Sequence, residues 1–340
     1  MKSLRDISWD VSEEVYREDP SLHYSAISKF KNLGFEAVGH TEDKVSSESI
    51  AFGSLVDCLL TGTTEEIDRK FYIVKDSSTP SDTLCAILNK LLEVEPYTSI
   101  EEIPDNVLYH YIQGSGWGKR WKENTAISKF REECIDYFKL LVESKNKFLI
   151  EQKDYEDALQ VVDVLKTSPA TKYYFNKDPF NDNIELLYQL KFKININKVS
   201  YKCMPDLIVV LHDKKLVVPV DLKTTSFPEY NFYKSFVKWN YDQQARLYWR
   251  ILREYMDADD YFRGFDLASY KFVVINRYTK SPLVWSFTEV DQGGDVTIGE
   301  TIFKDPFELG EELNEYIKTQ AKYPKGIKIN EPNKIEDWLK

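Results

Sequence analysis

The chain has 340 residues, enough for one large domain or two small ones with a sizeable core. A hydrophobic content of 42% and an aromatic content of 14% exclude a disordered chain, and no apolar run is long enough to cross a bilayer or to act as an N-terminal secretory signal. Four widely spaced cysteines without a C-x-x-C pair argue against a zinc ribbon and favour a reducing compartment, so we expect a soluble cytoplasmic protein.

Helical patterns dominate the first half of the chain. The spacing of apolar residues predicts a short helix near residues 24–30, a buried helix over 50–60, and amphipathic helices over 126–142 and 155–165. Between residues 63 and 115, three prolines predict an irregular segment: Pro80, Pro96 and Pro104.

From residue 184 the pattern changes to strands. Apolar runs predict strands over 184–194, 206–211 and 216–222, and a strand pair over 270–276 and 283–287. Between them a helix is predicted over 242–255, and the tail after Pro306 should be helical and then loop-rich. This order predicts an α/β (α+β) fold with a mixed central β-sheet flanked by helices.

The same change of pattern predicts how the chain is divided. Residues 1–150 are expected to form a mostly helical N-terminal region that packs on the core. Residues 151–300 are expected to form the core itself, and residues 301–340 a helical C-terminal tail, all within one compact domain.

The formal net charge of −11 argues mildly against DNA as a partner, because non-specific affinity for DNA comes largely from lysine and arginine at phosphates. Net charge does not describe the local distribution, however. Short basic stretches occur at 119–122, at 191–193, and at Lys234 with Lys238, and each is better explained as a solvated surface than as a DNA contact.

The most informative segment is a pair of apolar runs around the polar turn 212–215. Such a pattern predicts a β-hairpin. If Leu211 opposes Leu216, the same register places Asp206 opposite Asp221, with Cβ atoms about 4.5–5.5 Å apart. Two carboxylates at that distance repel each other unless a cation lies between them.

A divalent metal ion is the obvious cation for this pair. Mg²⁺ takes oxygen ligands, uses one or two carboxylates, and keeps water or substrate phosphate in its other positions. Side chains alternate along a strand, so Lys223 shares the face of Asp221 and could orient a water or stabilise developing charge. Pro219 could introduce a bulge that shifts the register by one residue.

An acidic residue two positions before a lysine is not a specific signal by itself. Asp213 and Lys215, in the turn of the same hairpin, have that spacing too. What distinguishes Asp221 and Lys223 is the strand before them and the Pro-Asp start of the partner strand. The residues alone leave a second interpretation open, in which the hairpin is ordinary and its terminal charges face solvent.

The helix predicted over 242–255 adds a polar stripe. Tyr241, Gln244 and Tyr248 fall on one side of it, where their polar tips could reach a site and their stems could pack in a core. The arginines of this helix fall on roughly the opposite side and are expected on a solvated surface: Arg246, Arg250 and Arg253.

Taken in order, three segments resemble the PD-(D/E)XK nuclease superfamily, and within it the RecB-like and exonuclease VIII-like phage exonucleases. They are MPD at 204–206, VDLKTT at 220–225 and YDQQARLY at 241–248, the last resembling the Gln-x-x-x-Tyr motif. Fainter similarity covers YSAISKFK at 24–31, AFGSLVDCLL at 51–60 and residues 154–169. The resemblance implies a restriction-endonuclease-like core with a helical N-terminal region.

The resemblance also implies a Mg²⁺ or Mn²⁺ centre that hydrolyses DNA phosphodiester bonds. Asp206 and Asp221 match its metal-ligating acidic positions, the backbone carbonyl of Leu222 matches a further ligand, and Glu185 lies near another acidic position. Asp57 stands where the RecB-like branch usually has a metal-binding histidine. It could bind the same ions, mark a weakened site, or be a helix residue paired with a lysine or arginine.

The remaining matches concern catalysis and partners. Lys223 matches the catalytic lysine, and Gln244 and Tyr248 match residues that support the site and contact nucleic acid. No cysteine follows Cys203, so the iron–sulfur cluster of some relatives is not expected. The resemblance implies an exonuclease acting on duplex DNA ends in phage-type recombination or replication, beside a single-strand annealing protein in a bacterial host cytoplasm, and homo-oligomers occur among the relatives.

Two other hypotheses remain open. A structure-specific endonuclease or junction resolvase would use the same residues, and a catalytically silent nuclease fold would bind DNA or a protein. The acidic net charge and Asp57 favour the silent fold, whereas the retained set of Asp206, Asp221 and Lys223 argues against it. The sequence has neither a G-x-x-x-x-G-K-[ST] phosphate loop nor a spaced histidine pair, so an ATP motor and a zinc hydrolase are not expected.

Overall fold

The computed structural model describes residues 1–35, 48–62, 64–74, 80–94, 97–144, 147–176 and 181–319. The chain divides into two compact units, the first made of Met1–Val45 and Gln160–Lys340 and the second of Ser46–Leu159. In the described ranges, the helices all lack the combination of length and apolarity that a membrane span requires.

The helices of the described residues are α1 (Glu13–Glu18), α2 (Tyr24–Leu33), α3 (Glu48–Thr61), α4 (Thr64–Lys70), α5 (Asp82–Val94), α6 (Asp105–Ser115), α7 (Glu123–Ser144), α8 (Gln152–Thr167), α9 (Lys172–Phe175), α10 (Phe232–Lys238), α11 (Tyr241–Ala258) and α12 (Pro306–Thr319). The strands are β1 (Phe71–Val74), β2 (Phe148–Glu151), β3 (Ile184–Tyr188), β4 (Phe192–Ile196), β5 (Val199–Cys203), β6 (Leu207–Leu211), β7 (Leu216–Thr225), β8 (Asp266–Leu267), β9 (Tyr270–Asn276), β10 (Pro282–Phe287), β11 (Val296–Ile298) and β12 (Thr301–Phe303).

The first unit is built on a mixed sheet with the strand order β10-β9-β7-β6-β3, in which β8 also pairs with β7. Strand β6 is antiparallel to β3 and β7, β9 is antiparallel to β10, and β7 is parallel to β8 and β9. Helices α10 and α11 make the crossover that the parallel pair β7 and β9 requires. The predicted α/β (α+β) class, with a mixed central sheet flanked by helices, is therefore confirmed.

Most predicted helices are present, as α2, α3, α7, α8, α11 and α12. The prediction that residues 63–115 are irregular is wrong, because α4, β1, α5 and α6 lie there. Pro104 is the N-cap residue of α6, and Pro80 lies two residues before α5. Proline is tolerated at a helix start, where no backbone N–H is needed, so these prolines mark helix beginnings. Pro96 lies outside the described residues.

The single strand predicted over 184–194 is also wrong. Gln189 has a positive φ of 50°, which ends β3, and β4 then pairs with β5 in a separate hairpin. Asn197 and Lys198 form its two-residue turn with φ values of 52° and 66°. Positive φ at both turn positions is typical of a type I′ turn, whose twist matches that of the strands it joins.

Arg246 lies in the core of the first unit rather than on a solvated surface, so that prediction is wrong. Only 2% of the residue is exposed. Its guanidinium donates to the carbonyl oxygens of Gln292, Gly294 and Lys304 and forms an ion pair of 3.2 Å with Asp305. The segment that supplies these acceptors covers α11 at Arg246, whereas Arg250 on the same side of the helix has a half-exposed side chain.

His23, directly before α2, should make stability depend on pH. Burial, with smaller contributions from the positive charges of Lys202 and Arg17, lowers its pKa from 6.5 to about 4. Between pH 4 and 6.5, His23 therefore binds a proton in the unfolded chain but not in the folded chain. Stability from this residue is complete above about pH 6.5 and falls by up to about 1.4 kcal/mol per pH unit as the pH decreases toward 4.

Urea unfolding between pH 7.5 and 4.5 measures this dependence. We expect His23→Gln to flatten the acid side of the stability profile relative to the unmodified protein. The exposed His110 provides a control, because His110→Gln should leave the slope unchanged. Equal slopes for the protein and His23→Gln would show that His23 is not the titrating group.

Candidate active site

The hairpin of β6 and β7 has the predicted register. Leu211 pairs with Leu216 and Leu207 pairs with Val220. Asp206 directly precedes β6, and its carbonyl oxygen accepts the N–H of Gln189 at 3.2 Å. Continuing the register by one residue places Asp206 opposite Asp221, at the open end of the hairpin, away from the turn at residues 212–215.

Pro219 does not shift the register of this hairpin, because it pairs with Ile208 in unbroken sequence. The irregularity lies on the other side of β7. Val217 pairs with Leu267 but Val220 pairs with Lys271, so the chain through β8 and β9 has one more residue than β7 over this stretch. The bulge that proline favours is thus present in the neighbouring strand, and the carboxylates keep their alignment.

Asp221 is the most buried residue of the site, with 0% exposure. One carboxylate oxygen, Oδ1, accepts a hydrogen bond from Nε2 of Gln244, and the other, Oδ2, forms an ion pair with Nζ of Lys223. The Lys223 ammonium also lies 4.7 Å from the centre of the Tyr241 ring. A carboxylate from β7 is thus held by an amide of α11 and by the lysine two residues further along the strand.

The electrostatic surroundings keep Lys223 protonated. Burial is the largest single influence and would lower its pKa, but the charge and hydrogen bond of Asp221, together with Tyr241 and Asp206, outweigh burial and raise the pKa. Lys223 is therefore an ammonium ion at neutral pH. It supplies a fixed positive charge and is poorly suited to accept a proton.

The side chain of Asp206 contacts the backbone of Leu222 across the end of the β6–β7 hairpin. Oδ2 of Asp206 accepts the backbone N–H of Leu222 at 2.8 Å. In a strand the N–H and C=O of one residue point to the same edge, so the Leu222 carbonyl lies on the Asp206 side, beyond the last pair of β6 and β7. The two carboxylates and this carbonyl are therefore brought to one end of the hairpin.

Helix α11 supplies the polar stripe expected from its sequence. Gln244 and Tyr248 are both buried, and the Tyr248 ring packs edge-on against Tyr270 with 6.4 Å between ring centres. Burial raises the pKa of both phenols, so both hydroxyls stay neutral. Tyr270 was not assigned from the sequence. Its place beside the site depends on the pairing of β7 with β9, which no local pattern shows.

One of the predicted metal ligands, Glu185, lies away from the hairpin end. Glu185 pairs with Val210 on the neighbouring strand, and its carboxylate contacts Nε2 of His212 at 3.1 Å. Val210 is four residues from Asp206, about 13 Å along β6, so Glu185 belongs to the opposite end of the sheet. Asp57 lies on α3 of the second unit, where its carbonyl oxygen accepts the hydroxyl of Thr61 at 2.9 Å.

The residues at the hairpin end fit a hard divalent cation that takes only a few of its ligands from the protein. In the part of the chain that the structure describes, no group of three or more His, Cys, Asp or Glu side chains could hold a metal. Asp206, Asp221 and the Leu222 carbonyl are nevertheless oxygen ligands of the kind Mg²⁺ and Mn²⁺ prefer, with water or phosphate completing the shell. Oε1 of Gln244 is buried without a hydrogen-bond partner and could accept a hydrogen bond from a metal-bound water.

Comparisons with known proteins add little to this geometry. No family model matches the chain, and no match was found among curated proteins. Among solved structures, the chain is similar to a "putative exonuclease" from Eubacterium rectale, with 10% sequence identity and a TM-score of 0.29, over 75% of this chain and 80% of that one. A likeness of this size carries no argument about fold or activity.

Proposed function

We propose that this chain is a metal-dependent deoxyribonuclease of the PD-(D/E)XK superfamily. The observation that carries the proposal is the meeting of Asp206 and Asp221 across the hairpin end, with Lys223 ion-paired to Asp221 on the same strand. The motif order of the superfamily, with Gln244 on the following helix bonded to Asp221, supports the same assignment.

Asp206, Asp221 and the carbonyl of Leu222 would hold Mg²⁺ or Mn²⁺ at this site. An ion bound there would polarise a phosphate and lower the pKa of a bound water. Lys223 contributes a positive charge beside the scissile phosphate, where negative charge develops as the phosphodiester bond is cleaved. Gln244 fixes the Asp221 carboxylate through its amide, so the oxygen ligands are oriented before substrate binds.

An exonuclease is the form of this activity that we propose first. Its action on duplex ends, its place in phage-type recombination or replication, and a partnership with a single-strand annealing protein all rest on the resemblance to exonuclease VIII-like proteins. A structure-specific endonuclease or resolvase would use the same centre. A silent fold that binds DNA or protein is favoured by one observation: among the described residues, no third acidic or histidine ligand joins the pair.

Incubation with linear and closed-circular duplex DNA in Mg²⁺, Mn²⁺ or EDTA tests these alternatives together. We expect loss of linear DNA with either metal, none in EDTA, and closed circles left intact. Cleavage of closed circles would identify an endonuclease. Intact DNA of both forms with every metal, from a folded protein, would contradict the nuclease proposal and favour the silent fold.

A further inference from the structure

Three aromatic side chains are strongly exposed where the strands that carry the site end. Phe227 is 70% exposed, Tyr230 is 66% exposed and Tyr278 is 65% exposed. Phe227 and Tyr230 follow β7, and Tyr278 follows β9, whose last residue pairs with the last residue of β7. We call these three residues the aromatic edge.

The backbone beneath two members of the aromatic edge is fixed by one buried side chain, Asn276. Its Nδ2 donates to the carbonyl oxygen of Phe227 at 2.8 Å, and its Oδ1 accepts the N–H of Tyr278 at 2.8 Å. The N–H of Arg277 also donates to the carbonyl oxygen of Thr225 at 2.7 Å. Phe227 and Tyr278 are therefore held on either side of Asn276, with their rings directed away from the core.

Tyr230 is held in the same neighbourhood through the residue before it. Glu229 accepts the hydroxyl of Ser281 at 2.8 Å through its carboxylate and the indole N–H of Trp285 at 3.2 Å through its carbonyl oxygen. Ser281 belongs to the β9–β10 turn that also carries Tyr278. Hydrogen bonds of Asn276 and Glu229 thus hold the backbone of the aromatic edge in place. The three exposed rings themselves add little to the packing of the fold.

The chain segments that carry the aromatic edge have a charge of opposite sign to that of the whole chain. Residues 224–240 and 276–282 contain four cations, Lys234, Lys238, Arg277 and Lys280, and a single carboxylate, Glu229, whereas the whole chain has a net charge of −11. The Arg277 guanidinium lies 5.7 Å from the centre of the Tyr278 ring. Exposed rings among cations are the combination by which proteins bind single-stranded nucleic acid, because rings stack on bases and cations meet phosphates.

We propose that the aromatic edge binds an unpaired DNA strand by stacking on its bases. An unpaired strand is the occupant that fits, because a paired duplex hides the faces of its bases. Phe227 follows Lys223 by four residues, at most about 14 Å along an extended chain, so a strand on the edge would lead directly to the carboxylate pair. The choice of DNA as the nucleic acid rests on the proposed function.

Binding of a fluorescent 20-nucleotide oligothymidylate in EDTA, followed by anisotropy, tests the proposal without cleavage. We expect the double variant Phe227→Ala/Tyr278→Ala to bind the oligonucleotide at least about tenfold more weakly. The reason is that each substitution removes an aromatic side chain on which one base stacks. Tyr173→Ala is the matched control, because Tyr173 is 72% exposed on α9 of the same unit. The conservative variant Tyr278→Phe should bind like the unmodified protein, because stacking needs the ring and not the hydroxyl.

Separate outcomes identify which proposal fails. The double variant could lose oligonucleotide binding while the unmodified protein cleaves no DNA. That result would support the proposal for the aromatic edge and contradict the proposed nuclease activity. Unchanged binding in the double variant, or equal weakening by Tyr173→Ala, would overturn the aromatic edge even if cleavage depends on Asp221. A double variant that loses only self-association in sedimentation would likewise overturn it, because the rings would then serve a protein interface. Matching urea midpoints establish that the variants are folded.

Discussion

Replacing Lys223 by methionine should lower the rate of metal-dependent DNA cleavage by about 10²–10³-fold, the usual cost of removing one charge-stabilising group from an active site. The ammonium is held beside the carboxylate pair and stays protonated, so its charge is available when the phosphate becomes more negative. Lys215→Met is the matched control, because Lys215 has the same spacing from Asp213 but is exposed in the hairpin turn. Its cleavage rate, measured under single-turnover conditions, should equal that of the unmodified protein.

The same substitution should also affect stability. Lys223→Met leaves the fully buried carboxylate of Asp221 without its cation, which we expect to cost about 3–5 kcal/mol of unfolding free energy in EDTA. Mg²⁺ should restore part of this loss if it binds the same carboxylate. Lys223→Arg keeps the charge but changes its shape, so cleavage should recover only in part. An unchanged cleavage rate in Lys223→Met would remove this residue from the site.

Replacing Arg246 by methionine should destabilise the protein by about 3–5 kcal/mol, because it leaves a buried partner charge uncompensated. Asp305, which is 5% exposed, would lose its ion pair, and three carbonyl oxygens would lose a donor. Asp305 also accepts the N–H groups of Phe307 and Glu308 at the start of α12. Weakening this junction should therefore loosen the attachment of α12 to α11.

Urea denaturation at pH 7 measures the effect of Arg246. Arg250→Met is the matched control one turn further along α11, where the arginine side chain is 50% exposed and pairs with Glu254 four residues on. Exposed pairs of this kind contribute about 0.3–0.5 kcal/mol, so the control should change stability little. The double variant Arg246→Met/Asp305→Asn should recover part of the loss, since it removes the stranded charge. Equal stability of the two single variants would contradict the buried network.

The candidate site could be predicted from the sequence because its main relation is local. Two apolar runs separated by four polar residues determine a hairpin register, and that register alone aligns Asp206 with Asp221. Helical spacing likewise places Gln244 on the side of α11 that faces the strand. These relations involve neighbours in sequence or one short connection, so periodicity is enough to find them.

Other features depend on segments that are distant in sequence. Arg246 is buried because residues 292–305 cover its side of α11, and a helical wheel contains no information about that segment. Glu185 lies at the far end of the sheet because β3 runs antiparallel to β6, which a motif alignment without topology does not show. Prolines in this region predict breaks in helices from local pattern alone, whereas the structure has Pro80 and Pro104 where helices begin.

The most direct test of the proposed catalytic centre compares Asp221→Asn with Asp213→Asn in cleavage of linear duplex DNA with Mg²⁺. Both substitutions remove one carboxylate from an aspartate two residues before a lysine in the same hairpin, but Asp221 is buried at the site and Asp213 is exposed at the turn. We expect Asp221→Asn to abolish cleavage and Asp213→Asn to retain the full rate. Retained metal-dependent cleavage in a folded Asp221→Asn variant would contradict the assignment of the hairpin end as the catalytic centre.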